Sequence, residues 1–245
     1  MINSVKPNLI VSDSRGAWFR ATILFILALI GTVGMWSVVV FIPDIEKEFG
    51  LDRGTSSLLY AFTMIGFGFG TVVIGKVYDK FGIKKPILLA TFVLITSYYF
   101  YSIFPFYWQF LILQFFMGFA ASAFFGPAMA DISNFFNKQR GFALSIVASA
   151  NYVAGATWPL LIGYFLTFID WRAAHFWISI CLFIMIPLIL LLKNASVDES
   201  KSHDMKQRYK DIRLDLSNNQ IQVLLMLAGI CLSLIHISEP TRPDY

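Results

Sequence analysis

The chain contains little charge for its length. Of its 245 residues, 14% are Asp, Glu, Lys or Arg, whereas a soluble domain has about 25%. The hydrophobic fraction is 57%, and no acidic or basic residue falls deep inside the first six long apolar runs. Such a chain lacks the polar surface of a water-soluble domain. The composition therefore predicts an all-α membrane protein with several spans.

Cysteine and histidine are equally scarce. The two cysteines, Cys181 and Cys231, both lie in apolar runs, which predicts neither a disulfide nor a metal site, and no cofactor is indicated. His175 and His203 are expected on opposite sides of the membrane. An integral-membrane enzyme needs a cluster of acid, base, nucleophile or metal-binding groups. We therefore expect that the chain is not an enzyme. A membrane enzyme, a receptor and an assembly subunit are kept as the alternative functions.

Apolar runs of about 20 residues can cross the hydrocarbon core of a bilayer. Six such runs are present: Ala21 to Ile42, Ser57 to Val77, Pro86 to Phe104, Trp108 to Ala130, Phe142 to Ile169 and Ala174 to Leu192. They predict an arm at 1–20, a six-helix bundle at 21–192 and a charged linker at 193–220. Another apolar run begins at 221–231 and predicts the start of a seventh helix. Residues 43–55 are expected to form an acidic outer loop.

The distribution of basic residues predicts the orientation. The N-terminal arm and the even-numbered gaps between runs hold fifteen Lys and Arg residues, and the odd-numbered gaps hold three. Because cytoplasmic loops are enriched in Lys and Arg, we expect a multi-pass protein of the inner (plasma) membrane with its N-terminus in the cytoplasm. The net charge of +4 is explained by this asymmetry and does not indicate a nucleic-acid partner.

The second gap carries the most informative motif. From Gly75 to Lys85 it reads G-x-x-x-D-K-x-G-x-K-K, which resembles the cytoplasmic loop between helices 2 and 3 of the major facilitator superfamily. The resemblance implies a gating segment with these residues: Gly75, Asp79, Lys80, Gly82, Lys84 and Lys85. On chemical grounds Asp79 can cap a helix or accept from a cation, and Gly82 suits a tight turn.

Other segments share the resemblance in part. Gly155, Pro159 and Gly163 are similar to the family's fifth-helix motif and predict a kink at the proline, although Trp158 stands where that motif usually has glycine. Asp131 and Arg140 resemble the family's cytoplasmic turn and predict a latch onto the loop after Gly75, with ordinary helix capping as the alternative. The opening from Asp13 to Trp18 resembles bacterial carriers related to monocarboxylate transporters.

The family resemblance implies one six-helix half of a two-bundle (6+6) transporter. Its expected function is secondary active transport of a small organic solute, such as a monocarboxylate, by alternating access. The resemblance is also compatible with a coupling ion, whose movement across the membrane is linked to that of the solute. Sites in such folds lie near the middle of the bilayer. Helical rise places the candidate substrate contacts at or outside that depth: Thr32, Trp36, Tyr60, Thr63, Ser122, Asn151 and Tyr152.

The last segment has a different character. Leu232 to Arg242 resembles, residue for residue, a translated sequencing adapter. We therefore expect residues 232–245 to be non-native, the seventh helix to be truncated, and the carboxy-terminal half of the transporter to be missing. Such a fragment is not expected to transport by itself. The alternative is a genuine helix that ends near Pro240 and Pro243.

Overall fold

The computed structural model describes residues 12–192, together with Gln220 and Leu224. The chain divides into two units, Met1–Val197 and Asp198–Tyr245, and the description that follows concerns the first. The predicted linker, the start of a seventh helix and the adapter-like tail lie outside the described residues, apart from Gln220 and Leu224, which are helical and exposed.

Within residues 12–192 all regular secondary structure is helical. Six spans in this range are long and apolar enough to cross a membrane. We number them as spans in chain order: Arg15–Phe49, Arg53–Phe81, Lys84–Ile103, Tyr107–Phe135, Arg140–Phe165 and Trp171–Leu191. Short 3₁₀ turns at Ser122–Phe124 and Leu182–Ile184 interrupt the fourth and sixth spans. The six predicted spans are therefore confirmed. The first and second spans each extend several residues beyond their apolar runs.

The first span consists of two helices, Arg15–Gly31 and Val33–Phe49, that meet at Thr32. The Thr32 hydroxyl donates to the carbonyl oxygen of Ala28 at 2.8 Å, a local bond that commonly bends a helix. Gly31 is needed at this point, since a Cβ there would lie 2.4 Å from the ring of Phe124. The first span is thus interrupted where it packs against the fourth.

Two boundaries differ from the sequence expectation. Pro43 lies inside the helix Val33–Phe49, so the loop predicted at 43–55 is shorter than expected and runs from Gly50 to Asp52. At the other end the first helix begins at Arg15, because the Ser14 hydroxyl accepts the backbone N–H of Ala17 at 3.3 Å. Residues 15–20 of the predicted arm are therefore helical.

The second and fourth spans pack backbone against backbone. A Cβ at Gly66 would lie 2.0 Å from the carbonyl oxygen of Phe115, and one at Gly118 would lie 1.9 Å from the carbonyl oxygen of Thr63. Gly70 approaches the hydroxyl of Ser122 in the same way. Small residues allow this approach where no hydrophobic effect drives helices together in lipid. The small-residue positions of these two spans therefore organise the core of the bundle.

Contacts between loops show which ends of the spans lie together. Asp13 contacts the turn between the fourth and fifth spans, where its carboxylate accepts backbone N–H bonds from residues 137–139. At the opposite end, Arg172 donates to Glu48 at 2.6 Å and to the carbonyl oxygen of Phe104 at 2.8 Å. Odd-numbered loops thus share one end, and the N-terminal segment lies at the other.

Candidate functional site

The candidate site centres on a pair of polar side chains from the first and fifth spans. The indole nitrogen of Trp36 donates to Asn151 Oδ1 at 3.2 Å, and both residues are half-buried. Asn151 lies eleven residues after the start of the helix Arg140–Phe165, or about 16 Å along it. Asn151 Nδ2 makes no hydrogen bond within residues 12–192. An amide donor is therefore available near mid-depth at the edge of the bundle.

The fifth span packs against the first span beside this pair, on both sides of Thr32. A Cβ at Gly155 would lie 3.0 Å from the indole ring of Trp36, so a larger residue would press on the hydrogen-bonded tryptophan. The indole nitrogen of Trp158 donates to the carbonyl oxygen of Leu29 at 2.8 Å, three residues before Thr32. Trp158, which departs from the family motif, thus holds the two spans together.

The other motif glycine and the proline have less contact. No atom lies within 4 Å of a Cβ built at Gly163, and Pro159 lies inside a helix that continues to Phe165. The predicted kink at Pro159 stays a prediction.

A second polar group is buried among the second, third and fourth spans. Gln114 Oε1 accepts the hydroxyl of Thr63 at 3.0 Å, and Gln114 Nε2 donates to the hydroxyl of Tyr101 at 3.4 Å. Thr63 also donates to the carbonyl oxygen of Leu59. Thr32 and Ser122 are buried as well, and their hydroxyls donate to helix carbonyl oxygens. The structure therefore places Thr32, Thr63 and Ser122 inside the bundle.

The two tyrosines face outward. Tyr60 is 39% exposed and Tyr152 is 73% exposed, and neither makes a side-chain hydrogen bond or ring contact with another described residue. The seven candidate contacts thus fall into three groups: three buried hydroxyls, the Trp36–Asn151 pair and two exposed rings. Only the last two groups could contact a solute without rearrangement of this bundle.

The predicted gating segment is more helical than expected. Gly75, Asp79 and Lys80 belong to the helix Arg53–Phe81, and Gly82 makes the turn with a φ of 72°. Asp79 lies in the last turn of that helix and does not cap the next one, which begins at Lys84 without a side-chain cap. An anionic side chain is unfavourable at a helix C-terminus.

The lysines of this segment gather around one ring. Lys80 Nζ lies 5.3 Å and Lys85 Nζ 4.5 Å from the centre of the Phe81 ring. No atom lies within 4 Å of a Cβ built at Gly75, so in this bundle the glycine does not mediate a close approach. Asp79 and Gly75 therefore face open space at the same end of the second span.

The predicted latch has a different partner. Asp131 accepts two hydrogen bonds from the Arg20 guanidinium, at 2.6 Å from Nε and 2.9 Å from Nη2, and the guanidinium also lies 4.6 Å from the centre of the Phe135 ring. Asp131 thus bonds the first span, not the loop after Gly75. Arg140 is the first residue of the helix in the fifth span.

Arg20, the last residue of the predicted arm at 1–20, is part of a buried ion pair. Arg20 is 4% exposed and Asp131 6% exposed. The two residues are 111 positions apart, so no local pattern joins them. The sequence gives one indication that Arg20 is buried. The apolar run begins directly after Arg20, so this arginine lies on the same helix as the run.

Asp13, which lies in the monocarboxylate-transporter-like opening, has a structural contact. Its burial opposes ionisation, but the backbone N–H groups of residues 137–139 and the charge of Lys138 outweigh this and lower the pKa of Asp13. The backbone N–H of Asp13 donates in return to the carbonyl oxygen of Phe135 at 3.1 Å. Asp13 therefore ties the N-terminal segment to the turn between the fourth and fifth spans.

Sequence reasoning also missed a polar and aromatic cluster at the end opposite to Asp13. His175 is buried, stacks on Tyr101 at 4.4 Å and contacts Phe41 at 4.0 Å, and its Nδ1 lies 2.7 Å from the carbonyl oxygen of Trp171. The indole nitrogen of Trp171 donates to Glu48 at 2.8 Å. These contacts bind the ends of the first, third and sixth spans into one body.

Comparison with known proteins identifies the relatives of this bundle. Residues 24–240 match the model of the Major Facilitator Superfamily. The chain is similar to the "MFS-type transporter pynF" of Aspergillus niger, with 27% identity over 69% of the chain and 40% of that protein. It is also similar to the "Agnestins efflux protein AgnL12" of Paecilomyces divaricatus, with 26% identity over 61% of the chain and 35% of that protein.

A bacterial relative shows the same coverage. The "Inner membrane transport protein YnfM" of Escherichia coli is 23% identical over 69% of the chain and 41% of that protein. The chain spans less than half the length of each of these three relatives. The family match runs to residue 240 and overlaps the adapter-like segment, so the non-native origin of residues 232–245 stays a prediction.

Proposed function

Because the chain belongs to the major facilitator superfamily, we propose that its six spans form one of the two bundles of a secondary transporter that moves a small organic solute by alternating access. The bundle lies in the plasma membrane with Asp13 and the gating segment in the cytoplasm. A monocarboxylate is the first solute to test, because the segment from Asp13 to Trp18 resembles that branch of carriers.

The observation that carries this proposal is the Asn151 amide. An amide donor that faces an apolar surrounding costs free energy unless it finds a partner, and Asn151 Nδ2, which is not buried inside the bundle, makes no bond to any residue in 12–192. Polar groups at this depth in transporters mark solute pathways. Asn151 also lies on the fifth span, which with the second is the least buried of the six. We propose that these two spans line the solute pathway against a second bundle.

The exposed end of the second span supports the gating role. Asp79 is an exposed anion in a helix C-terminal turn. Its unfavourable interaction with the helix dipole costs about 0.3–1 kcal/mol. A cationic group or a helix N-terminus on the opposing bundle would offset this cost when the cytoplasmic side closes. The open space beside Gly75 would admit the same partner. Closure would thus be stabilised by groups that this bundle leaves unpaired.

Transport assays test the proposal directly. The genomic reading frame that contains the chain should give saturable uptake or efflux of labelled organic acids in vesicles. Asn151→Leu should remove solute binding, and Asp79→Asn should slow transport while leaving membrane insertion intact. Lys76→Gln, on the same helix as Asp79, is the matched control for insertion. Absence of saturable transport for any organic solute would contradict the function, and unchanged kinetics of the variants would contradict the residue roles.

The solute class is tested by competition. The printed name of the Paecilomyces relative indicates efflux of agnestins, so a panel should contain larger organic molecules beside monocarboxylates. The enzyme and receptor alternatives lack a supporting observation. Among the described residues, no group of three His, Cys, Asp or Glu is placed to hold a metal ion.

A further inference from the structure

An apolar groove runs along the side of the bundle between the third and sixth spans. Its volume is about 550 Å³. Lys85 lies at one end, and the groove walls include these apolar residues: Leu89, Phe92, Ile95, Phe183 and Ile186. The one hydroxyl that lines it, on Thr91, already donates to the carbonyl oxygen of Ile87 at 2.8 Å. The walls therefore favour a hydrocarbon occupant over a polar one.

The length of the groove matches one leaflet of a bilayer. Lys85 and Ile95 are ten residues apart on one helix, or about 15 Å, which is half of the roughly 30 Å hydrocarbon core. On the sixth span, Ile186 lies five residues before the helix end at Leu191. Both walls thus belong to the half of the membrane in which Lys85 lies.

The charge at the groove end is positive. Lys85 is the only charged residue among those that line the groove, and its ammonium lies over the Phe81 ring at 4.5 Å. Lys80 faces the same ring, and Lys84 precedes Lys85 in the chain. A lysine at the membrane surface attracts anionic lipid. The positive charge of Lys85 lies at the level of the lipid headgroups, and the apolar groove extends from it through one leaflet. Together they are complementary to the headgroup and acyl chain of an anionic phospholipid.

We propose that this groove binds an acyl chain of an anionic phospholipid whose phosphate is held by the Lys85 ammonium. With the orientation given under the proposed function, the groove lies in the cytoplasmic leaflet, and this placement rests on that proposal. The binding itself does not depend on transport, so a lipid measurement can fail while transport succeeds, or the reverse.

Photo-crosslinking in nanodiscs tests the groove. The full chain is reconstituted in phosphatidylcholine discs that contain a trace of phosphatidylglycerol or phosphatidylcholine with a photoreactive acyl chain. Labelled peptides are then identified by mass spectrometry. We expect labelling between Leu88 and Ile95 to favour the phosphatidylglycerol probe about fivefold, the factor given by about 1 kcal/mol for one lysine. Both leaflets contain probe, so the result is independent of orientation.

Variants separate charge from shape. Lys85→Gln should reduce the preference to about one, Lys85→Arg should keep it, and Leu89→Trp should reduce labelling by both probes because it fills the groove. Lys76→Gln removes a lysine that does not line the groove and should change nothing. Retained helicity and a monodisperse elution profile establish that each variant is folded.

Three results would overturn the proposal. The first is equal labelling of the wild-type groove by the two probes. The second is a Lys85→Gln variant that keeps the fivefold preference. The third is absence of labelling between Leu88 and Ile95 by both probes, which would show that no acyl chain occupies the groove.

Discussion

Replacing Gly118 by alanine tests the backbone packing that organises the bundle. A Cβ at this position would lie 1.9 Å from the carbonyl oxygen of Thr63, 2.8 Å from its carbonyl carbon and 3.0 Å from the backbone nitrogen of Phe67. Ordinary contacts between carbon and a carbonyl oxygen are about 3.3–3.6 Å. Because backbone atoms cannot rotate away as a side chain would, the second and fourth spans must separate by about 1.4 Å.

The expected cost follows from that displacement. Overpacking of a well-packed interior costs about 1–3 kcal/mol. Separation would also stretch the hydrogen bond from Thr63 to Gln114, now 3.0 Å, at a further cost of about 0.5–1.5 kcal/mol. Alanine is better than glycine in a helix by about 0.5–1 kcal/mol. We therefore expect Gly118→Ala to lower the free energy of unfolding by about 2 kcal/mol, a factor of about 30 in the equilibrium constant.

Gly68→Ala is the matched control. Gly68 lies on the second span between the closely packed Gly66 and Gly70, but no atom lies within 4 Å of a Cβ built there. This variant should be as stable as the parent or up to about 1 kcal/mol more stable. Equilibrium unfolding in mixed micelles, followed by circular dichroism, gives both values. Equal stabilities for Gly118→Ala and Gly68→Ala would refute the close approach of the two spans.

Three further predictions concern polar contacts. Asp131→Asn should lower the free energy of unfolding by about 3–5 kcal/mol because it leaves the buried charge of Arg20 without its ionic partner; an unfolding midpoint equal to the parent's would show that the pair is not formed. A double-mutant cycle of Trp36→Phe and Asn151→Leu should give a coupling energy of roughly 0.6 kcal/mol, which is typical of hydrogen bonds between membrane helices. Zero coupling would show that the two side chains do not interact. The pKa of Asp13 is lowered in the folded chain from the ordinary 3.8, so the stability advantage over Asp13→Ala should be constant at neutral pH and disappear as the pH falls below 3.8. Thermal midpoints measured from pH 7 to pH 3 check this, and an advantage that does not decrease as the pH falls below 3.8 would contradict the contact of Asp13 with the backbone of residues 137–139.

The six spans could be located from hydrophobicity because lipid offers no partner for a backbone polar group. A chain in the bilayer must satisfy its N–H and C=O groups within each segment, so a run of about 20 apolar residues has one stable solution, a helix. Glycine at position 82 predicted the turn between the second and third spans for an equally local reason, since its φ of 72° is costly for other residues.

The partners of the side chains required the tertiary structure. Helices that are apolar all round carry no periodic stripe to indicate which face turns inward. The sequence therefore favoured Asn151 by its depth but could not show whether Thr63 or Tyr60 faces the interior. Packing distinguishes them, because close approach at Gly118 buries Thr63 while Tyr60 stays exposed. Rotation and crossing angle of whole helices decide such contacts, and neither is encoded in a local pattern.

The same limit explains the missed ion pair and the missed contact of Asp13. Arg20 and Asp131 are 111 residues apart, and Asp13 bonds residues 137–139. Each contact depends on where the first span lies against the fourth and fifth. Hydropathy therefore determined the number of spans, whereas three-dimensional packing decided which charges and amides meet, because those pairings join segments that only the fold brings together.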